Sequence, residues 1–329
     1  MRQDDEHTQF ERPRRHTRPR TKDRPSYDDA VRARVITIDR GRYTVLVDDA
    51  DGVRQVTTMK SRPLGRKGVV VGDEVKVVGD TTGTVDTLAR IVEVEPRRTI
   101  LRRTADDDDP VERVIVANVE QLMIVTALAD PPPRAGLIDR CLVAAYVAGM
   151  EPIVVLTKSD LGDPAEIVEL LAPLGVRIIV TRFDEDLATL REVLIDKFSA
   201  LVGHSGVGKS TLVNALIPDA RRATSHVNEV TGRGRHTSTS AIAMELPFGG
   251  WIVDTPGIRS FGLAHVTADD ILRAFSDLEE ASRHCSRGCT HATAEPECGL
   301  DAAVAAGEVS PERVSSFRRL LSTNESTNG

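Results

Sequence analysis

Residues Gly203–Thr211 read GHSGVGKST, and this stretch decides the fold of the chain around it. It fits the pattern G-x-x-x-x-G-K-[ST], whose glycines let backbone N–H groups converge on phosphate at the start of a helix. The apolar run 199–202 before it predicts a strand, and 211–217 after it predicts a helix that stops at Pro218. A strand, a phosphate loop and a helix in this order indicate an α/β domain. The residues that we expect to bind the phosphates are Gly203, His204, Ser205, Gly206, Val207, Gly208, Lys209, Ser210 and Thr211.

Two further motifs, each at the end of an apolar strand pattern, distinguish the nucleotide. Thr157–Asp160 reads TKSD, and Asp254–Gly257 reads DTPG. A carboxylate at Asp160 can accept hydrogen bonds from N1–H and N2–H₂ of guanine, a pair of donors that adenine lacks. Asp254 can hold Mg²⁺ through water, as in other P-loop proteins, and the Gly257 amide can contact the γ-phosphate. The sequence therefore predicts GTP as the ligand, with base contacts from Thr157, Lys158, Ser159 and Asp160.

The segments on either side of this domain differ from it in composition and in hydrophobic pattern. Residues 1–29 are basic and Pro-rich, which predicts a disordered arm for nucleic acid or a solvated tail. Residues 30–104 contain five short alternating patterns, which favour a small all-β barrel of the OB-fold type. Residues 105–263 alternate strand and helix patterns and form the predicted GTPase domain, and 264–329 read as short helices around a Cys/His cluster. The predicted fold is therefore multidomain.

Bulk composition excludes some classes of protein. The 329 residues are 40% hydrophobic and 28% charged, which is ordinary for a globular chain, and the net charge of −7 argues against a uniformly basic surface. No apolar run is long enough to span a bilayer, and the N-terminus lacks the apolar core of a secretion signal. We therefore expect a cytoplasmic protein without a membrane partner, in which the isolated Cys141 is a buried, inert thiol.

The other three cysteines are clustered with a histidine. Cys285, Cys289, His291 and Cys298 offer three thiols and one imidazole within fourteen positions. This set suits a tetrahedral structural Zn²⁺ ion, whereas a disulfide is disfavoured in a reducing compartment. The sequence therefore predicts one zinc site in the last segment.

The motifs occur in an unusual order, because the guanine motif precedes the phosphate loop. The chain resembles the small-GTPase superfamily after circular permutation, and it is similar to the ribosome small-subunit-dependent GTPase A family over residues 30–300. The motifs that carry this resemblance are GHSGVGKST, GRGRHTST, DTPGIRSFGL and the CTH run. The resemblance implies a GTPase that acts in late maturation of the 30S subunit, binds its 16S rRNA and is stimulated by the subunit. We expect it to act as a monomer.

The resemblance leaves one zinc ligand open. The family pattern usually has four residues between its first two cysteines, whereas this chain has three, with His284 directly before Cys285. We expect Cys285 to be the ligand, and His284 is the alternative.

The catalytic water lacks its usual partner in this sequence. Ile258 follows the DTPG motif where many GTPases carry a glutamine that orients water. In the candidate switch 232–239, His236 can substitute for it, or it can instead cap the loop or touch RNA. Thr237, with Thr239 as the alternative, is expected to close on Mg²⁺ together with Ser210. The residues that we expect to carry catalysis are Lys209, His236, Thr237 and Asp254.

Two rival functions remain at this point. A metabolic P-loop ATPase or kinase would share the phosphate loop, but Asp160 speaks against it. A nucleotide-insensitive RNA-binding protein would carry a decayed loop, but Lys209, Ser210 and Asp254 are intact.

Overall fold

The computed structural model describes residues 27–65, 68–104, 112–182, 186–217, 241–255, 266–293 and 297–328. Its first part is a five-stranded closed barrel whose neighbours follow the order β1-β2-β3-β5-β4. The β3–β5 pair is parallel and the other pairs are antiparallel. This is the OB-type topology that the sequence predicted. The strands are β1 Val31–Asp39, β2 Arg42–Asp49, β3 Gly52–Lys60, β4 Glu74–Val78 and β5 Ala89–Val94.

The barrel closes because its strands alternate between a buried and a solvated face. Val45 and Val47 of β2 are fully buried, as are Val75 and Val77 of β4, and each pair is separated by one residue that points outward. This period of two places β-branched side chains on the inner face of every strand. The barrel therefore has its own small core, which is separate from the cores of the following sheet.

An antiparallel hairpin joins the barrel to the rest of the chain. Its strands are β6 Ile100–Thr104 and β7 Glu112–Ala117. The fully buried carboxylate of Asp73 accepts two hydrogen bonds from Arg97, at 2.6 and 2.9 Å. Asn118 is buried too, and its amide donates to the carbonyl of Gly72 at 2.9 Å. These satisfied buried polar groups fix the barrel against the following domain.

The central domain is a six-stranded sheet in the order β10-β9-β8-β11-β13-β12. All of its pairs are parallel except β12–β13. Such a sheet needs helices on both faces, and its inner strands are apolar without alternation, as β8 shows by being buried throughout. The strands are β8 Gln121–Ala127, β9 Glu151–Thr157, β10 Arg177–Val180, β11 Phe198–Val202, β12 Ile242–Glu245 and β13 Trp251–Asp254. The helices are α1 Ala135–Val147, α2 Ala165–Leu171, α3 Ala188–Leu194 and α4 Lys209–Leu216.

In the described part of the chain after the sheet, four more helices share a core with one of the sheet's faces. They are α5 Ala268–Leu272, α6 Ser276–Ser282, α7 Gly299–Ala306 and α8 Pro311–Asn328. Phe275 packs edge-on against Tyr146 of α1 and Phe317 of α8, with ring centroids 5.0 and 5.9 Å apart. Arg319 of α8 also donates at 2.9 Å to Asp139, a carboxylate of α1 that is only 1% exposed. The last helices thus cover α1.

Cys141 lies on the covered side of α1. It is 1% exposed, and burial raises the pKa of its thiol to about 12. The thiol is therefore protonated at neutral pH, as the sequence predicted for an inert core cysteine. Within the described ranges, no helix combines the length and apolarity that crossing a membrane requires.

Candidate functional site

The predicted motifs lie together at one edge of the central sheet. The loop Gly203–Gly208 leaves the carboxyl end of β11 and enters α4, and Thr157 ends the nearby strand β9. Asp254 ends β13, which pairs with β11 on the other side. In open α/β sheets, ligands bind beside the carboxyl ends of the strands. The sheet order therefore brings together motifs that the chain separates.

The phosphate loop has a backbone that only glycine can adopt at its first position. Gly203 has a φ angle of 152°, and a Cβ at this position would lie 2.2 Å from the carbonyl oxygen of Val125. Gly206 and Gly208 also have positive φ angles, of 84° and 94°. The loop passes this close to β8 because no side chain stands between them. Its amide groups are thereby free to turn toward an anion at the start of α4.

Lys209 is held at the mouth of the loop by the loop itself. Its ammonium donates to the carbonyl oxygens of Gly203 and His204, at 2.6 and 2.9 Å. Burial lowers the pKa of Lys209, and the nearby Asp254 carboxylate opposes that shift. Burial likewise raises the pKa of Asp254, against the attraction of Lys209. The two opposite charges are therefore close enough for each to offset part of the effect of burial on the other.

Thr157 ties the guanine motif to the phosphate loop. Its hydroxyl is buried and donates to the carbonyl oxygen of Val207 at 2.6 Å. The carbonyl oxygen of Thr126 is 3.3 Å from the same hydroxyl oxygen. Because a hydroxyl has one hydrogen, we assign its donation to the nearer carbonyl, that of Val207. The hydroxyl thus tethers the end of β9 to the phosphate loop.

A cavity of about 180 Å³ lies between the two motifs. Lys158, Asp160, Gly208 and Thr211 line it, and all four come from the predicted sites. The Lys158 ammonium donates to the carbonyl of Asp130, which holds the stem of this lysine along the cavity. The Asp160 carboxylate is exposed there and open to a ligand. A flat base with two adjacent donors fits this arrangement.

The sequence motifs missed five residues of the same cavity, namely Thr181, Arg182, Leu187, Leu212 and Ala215. The N–H of Thr181 donates to the carbonyl of Leu156 at 2.7 Å, and its own carbonyl accepts from the N–H of Ser159 at 3.3 Å. Thr181 thus braces the turn that carries Asp160. The sequence does carry a signal here, because Ile178–Val180 is apolar and β-branched, as strands are, and residues that follow parallel strands meet at one edge of the sheet.

Other predicted residues fall outside the described ranges. His236, Thr237 and Gly257 lie there, as do Thr239 and Ile258. The DTPG motif is described as far as Thr255, whose buried hydroxyl donates to the carbonyl of Leu201. This bond anchors the beginning of the motif to the strand that leads into the phosphate loop.

The late cysteines and histidine converge on one point. Nδ1 of His291 lies 3.6 Å from the sulfur of Cys285, 3.5 Å from that of Cys289 and 3.8 Å from that of Cys298. The four ligand atoms are all within 4.8 Å of one another. Cys285, and not His284, belongs to this cluster among the described residues. The arrangement is a metal-binding site of three thiols and one imidazole.

Groups around the cluster make contacts that hold its ligands in place. The N–H of Gly299, at the start of α7, donates to the sulfur of Cys285 at 3.0 Å. A Cβ at Gly299 would lie 2.6 Å from the carbonyl of Ala281, so a larger residue does not fit there. Arg318 of α8 donates to the carbonyl of His291 at 2.9 Å. Such outer contacts orient metal ligands and bind the cluster to the helical core.

Comparison with known proteins agrees with this geometry. The sequence model of the RsgA GTPase family matches residues 94–264. A protein of Chlorobaculum parvum, named small ribosomal subunit biogenesis GTPase RsgA, is 35% identical over 292 residues, which is 84% of this chain and 94% of that protein. A protein of the same name from Pseudomonas aeruginosa is 37% identical over 292 residues, which is 86% of this chain and 83% of that protein.

Two solved structures have the same architecture. The crystal structure of YjeQ from Thermotoga maritima is 26% identical, with a TM-score of 0.65, and the match covers 89% of this chain and 98% of that one. The structure of YloQ, described as a circularly permuted GTPase, also has a TM-score of 0.65, at 24% identity over 90% and 96% of the two chains. The phosphate loop, the TKSD motif upstream of it in the chain, and the identity to these relatives lead to one conclusion: the chain belongs to the RsgA GTPase family.

Proposed function

We propose that this protein hydrolyses GTP to GDP and phosphate and acts in the maturation of the small ribosomal subunit. The observation that carries the proposal is the cavity in which Asp160 lies beside the phosphate loop, because it offers guanine and triphosphate contacts in one place. The subunit is inferred from relatives that are named small ribosomal subunit biogenesis GTPases.

The residues of the site divide the chemistry between them. Lys209 and the loop amides neutralise charge on the β- and γ-phosphates while water attacks the γ-phosphorus. Asp254 offers a carboxylate and Ser210 an exposed hydroxyl, which are hard oxygen ligands of the kind that Mg²⁺ prefers. We assign Thr237 as a further ligand, and a Mg²⁺ ion held by these residues would neutralise negative charge on the phosphates. His236 is our candidate for orienting the water, and Gly257 for contacting the γ-phosphate.

We propose zinc for the cysteine cluster, held by Cys285, Cys289, His291 and Cys298. Zn–S bonds of about 2.3 Å and a Zn–N bond of about 2.0–2.1 Å at tetrahedral angles require an N–S separation of about 3.6 Å. The observed separations are 3.5–3.8 Å, so the donors fit the ion. With four protein ligands the site has no open position, and its role is structural.

The proposed partners follow from the flanking modules. The barrel is of a type that binds oligonucleotides, and residues 1–26 of the basic segment 1–29 lie outside the described ranges. Both are assigned to the 16S rRNA of the 30S subunit, and the protein is proposed to act in the cytoplasm as a monomer.

The test is GTP hydrolysis measured with and without purified 30S subunits for the wild type, Asp160→Asn and His236→Ala. We expect the subunit to stimulate GTP hydrolysis by the wild type. Asp160→Asn should hydrolyse little GTP at low GTP concentration, because it binds the nucleotide weakly. His236→Ala should hydrolyse GTP without being stimulated by the subunit. ATP that displaces GTP equally well would favour the metabolic ATPase instead. Equal hydrolysis with and without subunits would contradict the ribosomal role and leave the GTPase assignment intact.

A further inference from the structure

A second cavity, of about 550 Å³, lies where the barrel meets the central sheet. Strands β1, β2 and β4 and the segment 95–98 form its barrel side, and Trp251 of β13 belongs to its sheet side. It is lined by residues separate from those of the guanine cavity. Its volume is within the range of small-molecule sites and is sufficient for one nucleotide.

Several charged groups on its wall already satisfy one another. Glu74 accepts hydrogen bonds from Arg34 at 3.3 Å and from Arg98 at 2.7 Å. The guanidinium of Arg34 also lies 4.9 Å from the ring centre of Phe198. These contacts fix the floor of the cavity and leave Glu74 and Arg34 with little to offer a ligand.

Two charged groups on the same wall make no hydrogen bond with any described residue. Oε1 of Glu95 is buried and makes no hydrogen bond within the described residues. Lys76 forms an ion pair with it at 3.6 Å and donates a hydrogen bond to Glu93 at 2.8 Å. Arg32 is exposed, and its guanidinium has no ion pair or hydrogen bond with any described residue. The cavity thus combines a carboxylate that is ion-paired but accepts no hydrogen bond with a cation that has no partner among the described residues, and buried acceptors normally have hydrogen-bond partners.

Trp251 adds an aromatic surface to this pair. It is half-buried, and it is the single tryptophan of the chain. Indole rings at cavity walls stack on nucleobases irrespective of their sequence. The six charged side chains of the lining are three arginines and three carboxylates, which disfavours a polyphosphate. A ligand with one anionic group, one flat ring and one N–H donor fits the lining better.

We propose that this cavity binds a single unpaired nucleotide whose base carries an exocyclic amino group. The base stacks on Trp251, its amino group donates to the carboxylate of Glu95, and its phosphate pairs with Arg32. Adenine, cytosine and guanine have such an amino group, and uracil does not. Ribosomal RNA as the source of this nucleotide rests on the proposed function, whereas the cavity and its chemistry do not depend on it.

The test uses Trp251 fluorescence of the full-length protein, with GDP kept saturating so that the guanine cavity is filled. Adenosine, cytidine, guanosine and uridine 5′-monophosphates are titrated separately, followed by short single-stranded oligoribonucleotides. We expect the first three nucleotides to change the emission at concentrations about tenfold below that for uridine, because a hydrogen bond to a carboxylate is lost with uracil. Binding of oligoribonucleotides alone identifies RNA as the source, and binding of monophosphates alone identifies free nucleotide.

Two variants examine Glu95 and Arg32. Glu95→Gln replaces an acceptor by an amide that can also donate, so we expect it to remove the preference against uridine. Arg32→Ala should weaken the binding of all four nucleotides about tenfold, because the contact with the phosphate is lost. Arg90→Ala is the matched control, because Arg90 is an exposed arginine of the same barrel and lies outside the cavity lining.

Unchanged Trp251 emission with every monophosphate and oligoribonucleotide would overturn the proposal. So would a response that is identical in the wild type, Glu95→Gln and Arg32→Ala. Hydrolysis assays with 30S subunits report separately on the proposed function. If the subunit does not stimulate hydrolysis but Trp251 still responds to nucleotides, only ribosomal RNA as the source of the nucleotide is contradicted. If the subunit stimulates hydrolysis but Trp251 does not respond, only nucleotide binding in the cavity is contradicted.

Discussion

Replacing Thr157 by valine removes the tether between the guanine motif and the phosphate loop. The hydroxyl is buried, and it donates to the carbonyl of Val207 at 2.6 Å. Valine has nearly the same shape as threonine, so the substitution leaves no cavity. Its effect is therefore the loss of the hydrogen bond, which leaves the Val207 carbonyl without this donor. We expect the free energy of unfolding to fall by about 1–2 kcal/mol.

The same change should weaken nucleotide binding, because the tether holds the loop in the shape that presents its amides to phosphate. A loss of 1–2 kcal/mol of loop organisation corresponds to a roughly 5- to 30-fold higher Kd for GDP. The assays are urea unfolding without nucleotide and equilibrium titration with a fluorescent GDP analogue. Thr157→Ser keeps the hydroxyl and is the matched control, expected to bind as the wild type does. A valine variant that is less stable but has an unchanged GDP affinity would refute the idea that the tether pre-shapes the loop.

Three other changes test the site and its support. Asp160→Asn should lower GTP affinity about 100-fold, measured by competition with labelled GDP, because the charged acceptor for guanine is lost. Gly203→Ala puts a methyl group 2.2 Å from the Val125 carbonyl, and urea unfolding should show a loss of about 2 kcal/mol or more. Arg319→Met strands the buried Asp139 carboxylate, whose pKa burial already raises, at a cost of about 3 kcal/mol at neutral pH. This deficit should shrink as the pH falls and the folded state takes up the proton, and a pH-independent deficit would contradict the assignment.

The sequence predicted the parts of the fold whose signals are local. Alternating β-branched residues predicted the barrel strands, and the motifs at 157–160, 203–211 and 254–257 follow strands where an α/β sheet places ligands. The cluster ending at Cys298 was likewise recognisable from its spacing. Each of these signals is contained in a short stretch, so the rest of the chain is not needed to interpret it.

The parts that the sequence did not predict depend on distant contacts. Thr181 and Arg182 belong to no motif, and they reach the guanine cavity only because β10 pairs with β9 in a particular register. The cavity at Trp251 exists only because the barrel meets one edge of the sheet. Neither hydrophobic periodicity nor residue spacing encodes which surfaces of two modules meet.

The covering of α1 by the last helices has a consequence for how the chain is made. Asp139 and Arg319 are 180 residues apart, and the aromatic contacts of Phe275 with Tyr146 and with Phe317 belong to the same interface. A chain synthesised from its N-terminus exposes the apolar side of α1 long before α8 exists. Contacts of such sequence separation form slowly, and the uncovered surface is open to aggregation in the meantime. Synthesis of this protein therefore passes through a stage at which chaperones have an apolar helix face to bind.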